Sequence, residues 1–224
     1  MWRFVLAFSV LCVSQNYAST VTISVYYESL CPDSVKFFKE QLGITHDSFE
    51  GKVEVDLIPF GKANFTKEDG NYTFTCQHGE LECHGNKVHS CALKLGTGSN
   101  GTQFVMCAMN SSDASDDKNL KKCASEHNIE WESIQECVNS EEGDEWLAEY
   151  GNRTYSVKPK ISFIPTIIFN NIYKEPLQNI ALKNLHDITE YLLDDSRCDK
   201  NGGLKLYSTS LLAVSVLISI VKMF

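Results

Sequence analysis

The chain has no excess of positive charge and no basic run, and this absence limits what it can bind. Lysine and arginine together number 20 against 29 aspartates and glutamates, which gives a formal net charge of −9 at pH 7. A surface that binds nucleic acid must neutralise phosphate charges, and it is therefore rich in lysine and arginine. The composition thus argues against nucleic acid as a partner.

The chain also lacks an apolar run that would span a bilayer comfortably, because a transmembrane helix needs roughly 20 apolar residues. Residues 1–18 have one early arginine, a short apolar run and small residues where a peptidase could cut. This pattern is typical of a signal peptide, and the alternative is a buried first helix. We therefore expect export, with Cys12 removed together with the signal peptide.

The C-terminal end, residues 201–224, combines small residues, a short spacer and an apolar tail. Such a tail is typical of a lipid-anchor signal, and Asn201 is the candidate attachment residue. The alternatives are a membrane span and a tail removed by proteolysis. The apolar run from Leu211 to Val221 is short for a span, and Lys222 follows it.

The interior has two features of exported proteins, namely glycosylation sequons and many cysteines. In an oxidising compartment most cysteines pair, although spacing does not reveal the pairs. Without Cys12 and Cys31, an odd number of cysteines remains, so one more should be unpaired or should join two chains in a disulfide-linked dimer. The sequon asparagines are Asn64, Asn71, Asn100, Asn110 and Asn152, and the candidate disulfide cysteines are Cys76, Cys83, Cys91, Cys107, Cys123, Cys137 and Cys198.

One cysteine is missing from a motif that thiol–disulfide enzymes use. In the stretch ESLCPDS, Cys31 is followed by Pro32 and Asp33, and Ser34 stands where the motif would have a second cysteine. Reduction by a dithiol takes two attacks, the first forming a mixed disulfide and the second cleaving it. A serine hydroxyl cannot make the second attack, although it could donate a hydrogen bond to the Cys31 sulfur.

The first part of the chain alternates strand and helix patterns. Thr20–Leu30 alternates β-branched and aromatic residues and predicts a strand, and Val53–Pro59 predicts a second one. Between them, Pro32 suits the first turn of a helix with an apolar stripe. Strand, helix and strand in this order predict a parallel crossover. The stripe consists of Val35, Phe37, Phe38 and Leu42.

The pattern resumes near residue 160. Thr166–Phe169 predicts a strand, Asn170 and Asn171 a turn, and the next residues a short return strand, which together make a hairpin. Leu182, Leu185, Ile188 and Leu192 then recur at helical spacing. This order is the thioredoxin arrangement. We expect an α/β, thioredoxin-like domain over residues 19–200, with a helical, disulfide-rich insert at about residues 64–155.

The most specific string lies inside this insert. CQHGELECHGNKVHSC, from Cys76 to Cys91, resembles the signature of the gamma-interferon-inducible lysosomal thiol reductase (GILT) family at every fixed position. The YYESLC that leads into the redox turn, residues 31–34, and the IPT before the hairpin extend the resemblance over most of Val21 to Cys198. It implies a thioredoxin-like oxidoreductase that reduces disulfides of endocytosed proteins under acidic conditions.

Carried over residue by residue, the resemblance assigns Cys31 as the attacking cysteine and Pro165 as a cis-proline facing it. The second active-site cysteine of the family falls on Ser34. The first hypothesis is a binding protein without dithiol reductase activity. The second is a monothiol reductase or isomerase that uses Cys31 with glutathione or free cysteine as external thiol, and the third is that another cysteine resolves the mixed disulfide.

These hypotheses share a setting and a class of partners. Protein substrates or protein ligands are expected, with no cofactor beyond an external thiol. The location is the secretory pathway, with the protein secreted, lysosomal or at the cell surface. Membrane attachment would run through the C-terminal tail.

The cysteines and histidines of the insert also invite a zinc interpretation. An oxidising compartment favours disulfides, so we predict no metal site there. His78 is interpreted as structural, since no nucleophile is adjacent to it in sequence. The residues that zinc would use are Cys76, Cys83, His84, His89 and Cys91.

Overall fold

The computed structural model describes residues 20–195. The predicted signal peptide, Cys198, Asn201 and the C-terminal tail lie outside these residues. Among the described helices, none is long and apolar enough to cross a membrane. The strands are β1 Val21–Tyr27, β2 Val53–Pro59, β3 Asn64–Glu68, β4 Asn71–Thr75 and β5 Thr166–Phe169. The helices are α1 Pro32–Phe37, α2 Gly43–Ser48, α3 Glu80–Leu95, α4 Asn100–Asn110, α5 Asp117–Glu126, α6 Trp131–Val138, α7 Glu141–Ser156 and α8 Glu175–Asp195.

The central sheet has the order β2-β1-β5. β1 runs parallel to β2, with Val21 opposite Val53, and antiparallel to β5, with Tyr26 opposite Thr166. β1 therefore lies between the other two strands. Nearly all of its residues are buried, so both of its faces are covered. The predicted crossover is confirmed, although β1 ends at Tyr27 rather than at Leu30.

The crossover helix is interrupted by a π-helical turn. α1 and α2 flank the π turn Phe38–Leu42, and all three segments follow one another without a break. Phe37, Phe38 and Leu42 are buried, as the apolar stripe predicts. The stripe therefore positions the start of α1, and with it Cys31, against the sheet.

The start of the insert is a β-hairpin, so the prediction of a helical insert from about residue 64 is wrong there. β3 and β4 pair antiparallel, with Phe65 opposite Phe74. Asp69 and Gly70 connect them with positive φ angles of 49° and 89°. An Asp-Gly pair favours this two-residue turn because its backbone twist matches that of the strands. The rest of the insert consists of helices α3–α7.

The predicted return strand after β5 is reduced to a single bridge between Phe169 and Ile172. Asn170 and Asn171 form the predicted turn, with φ angles of 50° and 62°. The return is short because α8 begins at Glu175 and leaves few residues to pair.

The buried apolar residues form two clusters. The larger one joins the sheet to the crossover helix, the insert helices and α8, and it includes Ile23, Val25 and Leu185. The smaller one contains Cys31. The redox turn therefore lies on its own apolar cluster, whose other members include Tyr26, Ile58, Phe60, Leu147, Ile164 and Ile168.

Candidate active site

Cys31 lies at the N-terminal end of the crossover helix. It is the N-cap residue of α1, Pro32 follows it at the first turn, and the Val35 N–H donates to the Cys31 carbonyl at 3.0 Å. The Cys31 residue is 8% exposed, and its thiol is free. The parallel crossover explains this place, because it carries the chain from the end of β1 directly into α1.

The cis-proline loop faces the thiol. The Ile164–Pro165 peptide bond is cis, and Cys31 Sγ is 3.9 Å from the Ile164 carbonyl oxygen. The antiparallel pairing of β5 with β1 brings the two loops together. A second cis bond, Lys158–Pro159, was not anticipated from the sequence.

Gln178 of α8 holds this loop, a role that sequence reasoning missed. Its Nε2 donates to the Pro165 carbonyl at 2.9 Å, and its Oε1 accepts from the Ile167 N–H at 2.5 Å. The side chain is buried, so these bonds have no competition from water. No motif marks Gln178, because its partners depend on how α8 packs on the sheet.

Ser34 occupies the predicted position and is fully buried at 0% exposure. Its Oγ accepts a hydrogen bond from the Glu28 N–H at 3.4 Å. Among residues 20–195 no hydrogen bond joins this hydroxyl to the Cys31 sulfur, so the hydroxyl interacts with the backbone of the redox turn instead. A buried alcohol in this position can support the turn, but it cannot cleave a mixed disulfide.

The other cysteines of the described residues are all paired. Three disulfides join Cys76 to Cys83, Cys91 to Cys137, and Cys107 to Cys123. Within residues 20–195 Cys31 is therefore the remaining thiol. Cys198 lies outside these residues, and the disulfide-linked dimer stays a prediction.

Cys76, Cys83 and Cys91 form disulfides, so their sulfur atoms are not available as zinc ligands. His84 pairs with Asp117 at 2.8 Å, whereas His89 is buried and contacts the Tyr27 hydroxyl and the Ala114 carbonyl. The two histidines therefore have separate structural partners.

His78 lies beside two buried glutamates. Its Nδ1 is 2.5 Å from Glu82 Oε2 and 3.6 Å from Glu28 Oε2. Burial raises the pKa of Glu28 to about 7, and the nearby Glu82 adds to this, while the backbone N–H of Lys62 opposes it. Glu28 is also bonded to the redox turn, since its carbonyl accepts from the Cys31 N–H at 3.4 Å. Sequence reasoning interpreted His78 as structural and missed both glutamates.

The sequon asparagines lie on the surface of the insert. Those in β3, in β4, at the end of α4 and in α7 are exposed, and the one at the start of α4 is half-buried. A glycan needs an accessible asparagine, so the structure leaves room for the predicted modification. The exposed ones are Asn64, Asn71, Asn110 and Asn152, and the half-buried one is Asn100.

Comparisons with known proteins agree on one family. The family model described as gamma interferon inducible lysosomal thiol reductase (GILT) matches residues 22–127. A gamma-interferon-inducible lysosomal thiol reductase-like protein of Anopheles gambiae is 35% identical over 196 residues, covering 82% of this chain and 81% of that protein. GILT-like protein 1 of Drosophila melanogaster is 35% identical over 235 residues, covering 96% and 92%. The Carassius auratus gamma-interferon-inducible lysosomal thiol reductase is 34% identical over 179 residues, covering 79% and 70%.

Solved structures agree on the fold. DsbA from Chlamydia trachomatis matches with a TM-score of 0.55 at 14% identity, covering 81% of this chain and 89% of that one. A thioredoxin-like oxidoreductase from Silicibacter pomeroyi DSS-3 matches with a TM-score of 0.50 at 13% identity and the same coverage. At such identities the likeness shows the fold alone, and that fold is thioredoxin-like.

Proposed function

The chain belongs to the gamma-interferon-inducible lysosomal thiol reductase family, and we propose that it is a member that binds protein ligands without autonomous dithiol reductase activity. One observation carries this proposal. Ser34 is fully buried where a dithiol enzyme has its second thiol, and the six other cysteines of residues 20–195 are paired in disulfides.

The chemistry of disulfide reduction explains why this matters. A thiolate that attacks a disulfide forms one new S–S bond and releases one thiolate of the substrate. A second thiol must then cleave the mixed disulfide to release the other half. Without such a thiol in the protein, Cys31 and its partner would stay joined until an external thiol arrived.

The surface beside Cys31 supports a role in binding. Phe163 is 44% exposed, and it lies in the loop next to Ile164, whose carbonyl faces the thiol. Contact with a protein or peptide would bury this side chain and remove its apolar surface from water.

The second candidate function is monothiol exchange, in which glutathione or free cysteine resolves the mixed disulfide. The observation that favours it is the free thiol of Cys31 at the N-terminus of α1, beside the cis-proline loop. A protein that needed only its outer surface for binding would have no chemical use for this arrangement.

Reduction of insulin disulfides separates the two candidates. The assay is run at acidic and at neutral pH, with and without glutathione, on the wild type and on Cys31→Ser. The binding proposal predicts no turnover in any condition. Monothiol exchange predicts glutathione-dependent turnover that Cys31→Ser abolishes. Release of fully reduced insulin by the pre-reduced wild type without an external thiol, even once per protein molecule, would contradict both.

The location is proposed from the relatives and from the sequence. Matched proteins of Carassius auratus and Mus musculus are named as lysosomal thiol reductases, which supports the secretory pathway for this chain. If Asn201 holds a lipid anchor, a phosphatidylinositol-specific phospholipase should release the protein from the cell surface. A membrane span would resist the enzyme, and a tail removed by proteolysis would leave the protein soluble or lysosomal.

A further inference from the structure

One histidine and two glutamates converge beside the redox turn, and we call them the Glu28–His78–Glu82 cluster. Glu28 follows β1, His78 lies in the turn before α3, and Glu82 lies in the first turn of α3. Both glutamate side chains are 0% exposed, whereas the His78 side chain is 38% exposed. One donor atom from each residue lies within 4.8 Å of the other two. The cluster is therefore closed on its protein side and open on the histidine side.

Glu28 brings an unpartnered oxygen into this cluster. Its Oε1 accepts from the Lys62 N–H at 2.7 Å, but its buried Oε2 has no hydrogen-bond partner. A buried polar atom without a partner is costly, so its presence calls for a ligand or a functional role. Gly61 makes the position possible, because a Cβ at Gly61 would lie 2.3 Å from the Glu28 side chain.

The other two residues are held in place by covalent and hydrogen bonds. The Cys76–Cys83 disulfide closes the loop that contains both His78 and Glu82. The backbone N–H of His78 also donates to Glu82 Oε1 at 3.1 Å, and Glu82 Oε2 is left directed at the imidazole. The donor set is therefore preorganised, and little conformational entropy would be lost when a ligand binds.

We propose that His78 Nδ1, Glu82 Oε2 and Glu28 Oε2 bind one zinc ion, with the fourth position open to solvent beside His78. Imidazole nitrogen and carboxylate oxygen are both zinc ligands, at about 2.0 to 2.2 Å from the metal. In a tetrahedral site such donors stand about 3.4 Å apart. The 3.6 Å between His78 Nδ1 and Glu28 Oε2 fits this spacing.

The spacing between His78 and Glu82 requires a small movement. His78 Nδ1 is 2.5 Å from Glu82 Oε2, which is a hydrogen-bond distance, so these atoms must separate by about 0.9 Å to share an ion. His78 is the part-exposed member and can turn toward solvent. A divalent ion would replace this hydrogen bond and give Glu28 Oε2 the partner it lacks.

The site would act on the redox turn through Glu28. The Glu28 carbonyl accepts from the Cys31 N–H, and the Glu28 N–H donates to Ser34 Oγ. A metal that fixes the Glu28 side chain would therefore also restrain the loop that presents Cys31. The other group with metal-type side chains, Cys107, Cys123 and Glu126, carries no such proposal because its cysteines form a disulfide.

Isothermal titration calorimetry tests the proposal. Zinc chloride is titrated at neutral pH into the purified full-length protein, from which a chelator has first removed any metal. We expect one zinc ion per chain. Glu28→Gln and His78→Asn should each weaken the zinc affinity by about tenfold or more. The matched control is His84→Asn, since His84 lies on α3 and pairs with Asp117 outside the cluster. It should bind zinc as the wild type does, and so should Cys31→Ser.

Thermal unfolding provides the second readout. Zinc should raise the Tm of the wild type and of Cys31→Ser, but not that of Glu28→Gln. His78→Asn changes a part-exposed residue, so it replaces Glu28→Gln as the test variant if Glu28→Gln does not fold. The proposal is overturned if the wild type shows no saturable one-to-one binding, if Glu28→Gln and His78→Asn bind zinc as tightly as the wild type, or if Cys31→Ser removes the binding.

Discussion

His89 is predicted to make the protein less stable as the pH falls. The imidazole is fully buried, with Nδ1 3.1 Å from the Tyr27 hydroxyl and Nε2 3.0 Å from the Ala114 carbonyl. A neutral ring with its proton on Nε2 satisfies both partners, because it donates to the carbonyl and accepts from the hydroxyl. Burial lowers the pKa of His89 to about 4, with a small contribution from His84, while the bond to Ala114 opposes the shift.

The size of the effect follows from linkage. The folded-state pKa of about 4 lies below the ordinary value of 6.5, so between these values the unfolded chain binds more protons than the folded one. The contribution of neutral His89 to the free energy of unfolding is therefore complete above pH 6.5 and is lost as the pH falls toward 4. Because one pKa unit corresponds to about 1.4 kcal/mol, the full loss is about 3 kcal/mol.

The test compares the wild type with His89→Gln by urea unfolding across this pH range, in the presence of a chelator. The variant should be less stable at neutral pH, because it loses packing and hydrogen bonds. Its free energy of unfolding should fall by about 3 kcal/mol less than that of the wild type on acidification. Glu28 acts in the opposite direction, since its pKa is raised to about 7, but it is present in both proteins and its contribution cancels.

The control is the same substitution at His186, whose side chain is 45% exposed. His186→Gln should keep the pH dependence of the wild type. If His89→Gln and the wild type lose stability in parallel as the pH falls, the buried neutral histidine does not have the assigned effect, and the reasoning is refuted.

Three further predictions concern the frame of the site and the compartment. Replacing both Cys91 and Cys137 by alanine opens a loop of 46 residues and should lower the free energy of unfolding by about 4 kcal/mol in urea; a loss below about 1 kcal/mol would contradict this. Gly61→Ala should destabilise the protein by about 2 kcal/mol or more, because φ is 59° and the new Cβ meets Glu28; Gly70→Ala, with positive φ but open space, should cost less. An N-glycosidase should lower the apparent mass of the protein expressed in a secreting cell, and an unchanged mass would argue against export.

Local sequence patterns predicted those strands and helices whose buried positions can be read from the spacing of their own apolar residues. β2 occupies Val53–Pro59, as the sequence predicts. The β3–β4 hairpin was missed although Asp69 and Gly70 carry its turn signal, since the strands were assigned to a helical insert. The return strand after β5 was overestimated because its length depends on where α8 begins. Neither error affects the place of the redox turn.

The site also contains residues that the sequence predicts from short motifs and residues that only the folded structure brings together. Cys31, Ser34 and Pro165 were predicted because each belongs to a short motif. The Glu28–His78–Glu82 cluster could not be predicted, because it joins the end of β1 to α3 across about 50 residues of sequence. Its charges are visible in the sequence, but their burial depends on how α3 packs.

The central claim is that Ser34 is what separates this protein from a dithiol reductase, and Ser34→Cys tests it most directly. The substitution places a second thiol one helical turn from Cys31 on an otherwise intact scaffold, and it changes the side-chain volume little. The measurement is insulin reduction without glutathione, with circular dichroism as a check on folding. We expect pre-reduced Ser34→Cys to release about one reduced insulin disulfide per protein molecule and to end with a disulfide between Cys31 and the new cysteine, whereas the pre-reduced wild type should release none. A folded, pre-reduced Ser34→Cys that releases no reduced insulin, or a pre-reduced wild type that releases it without an external thiol, would contradict this claim.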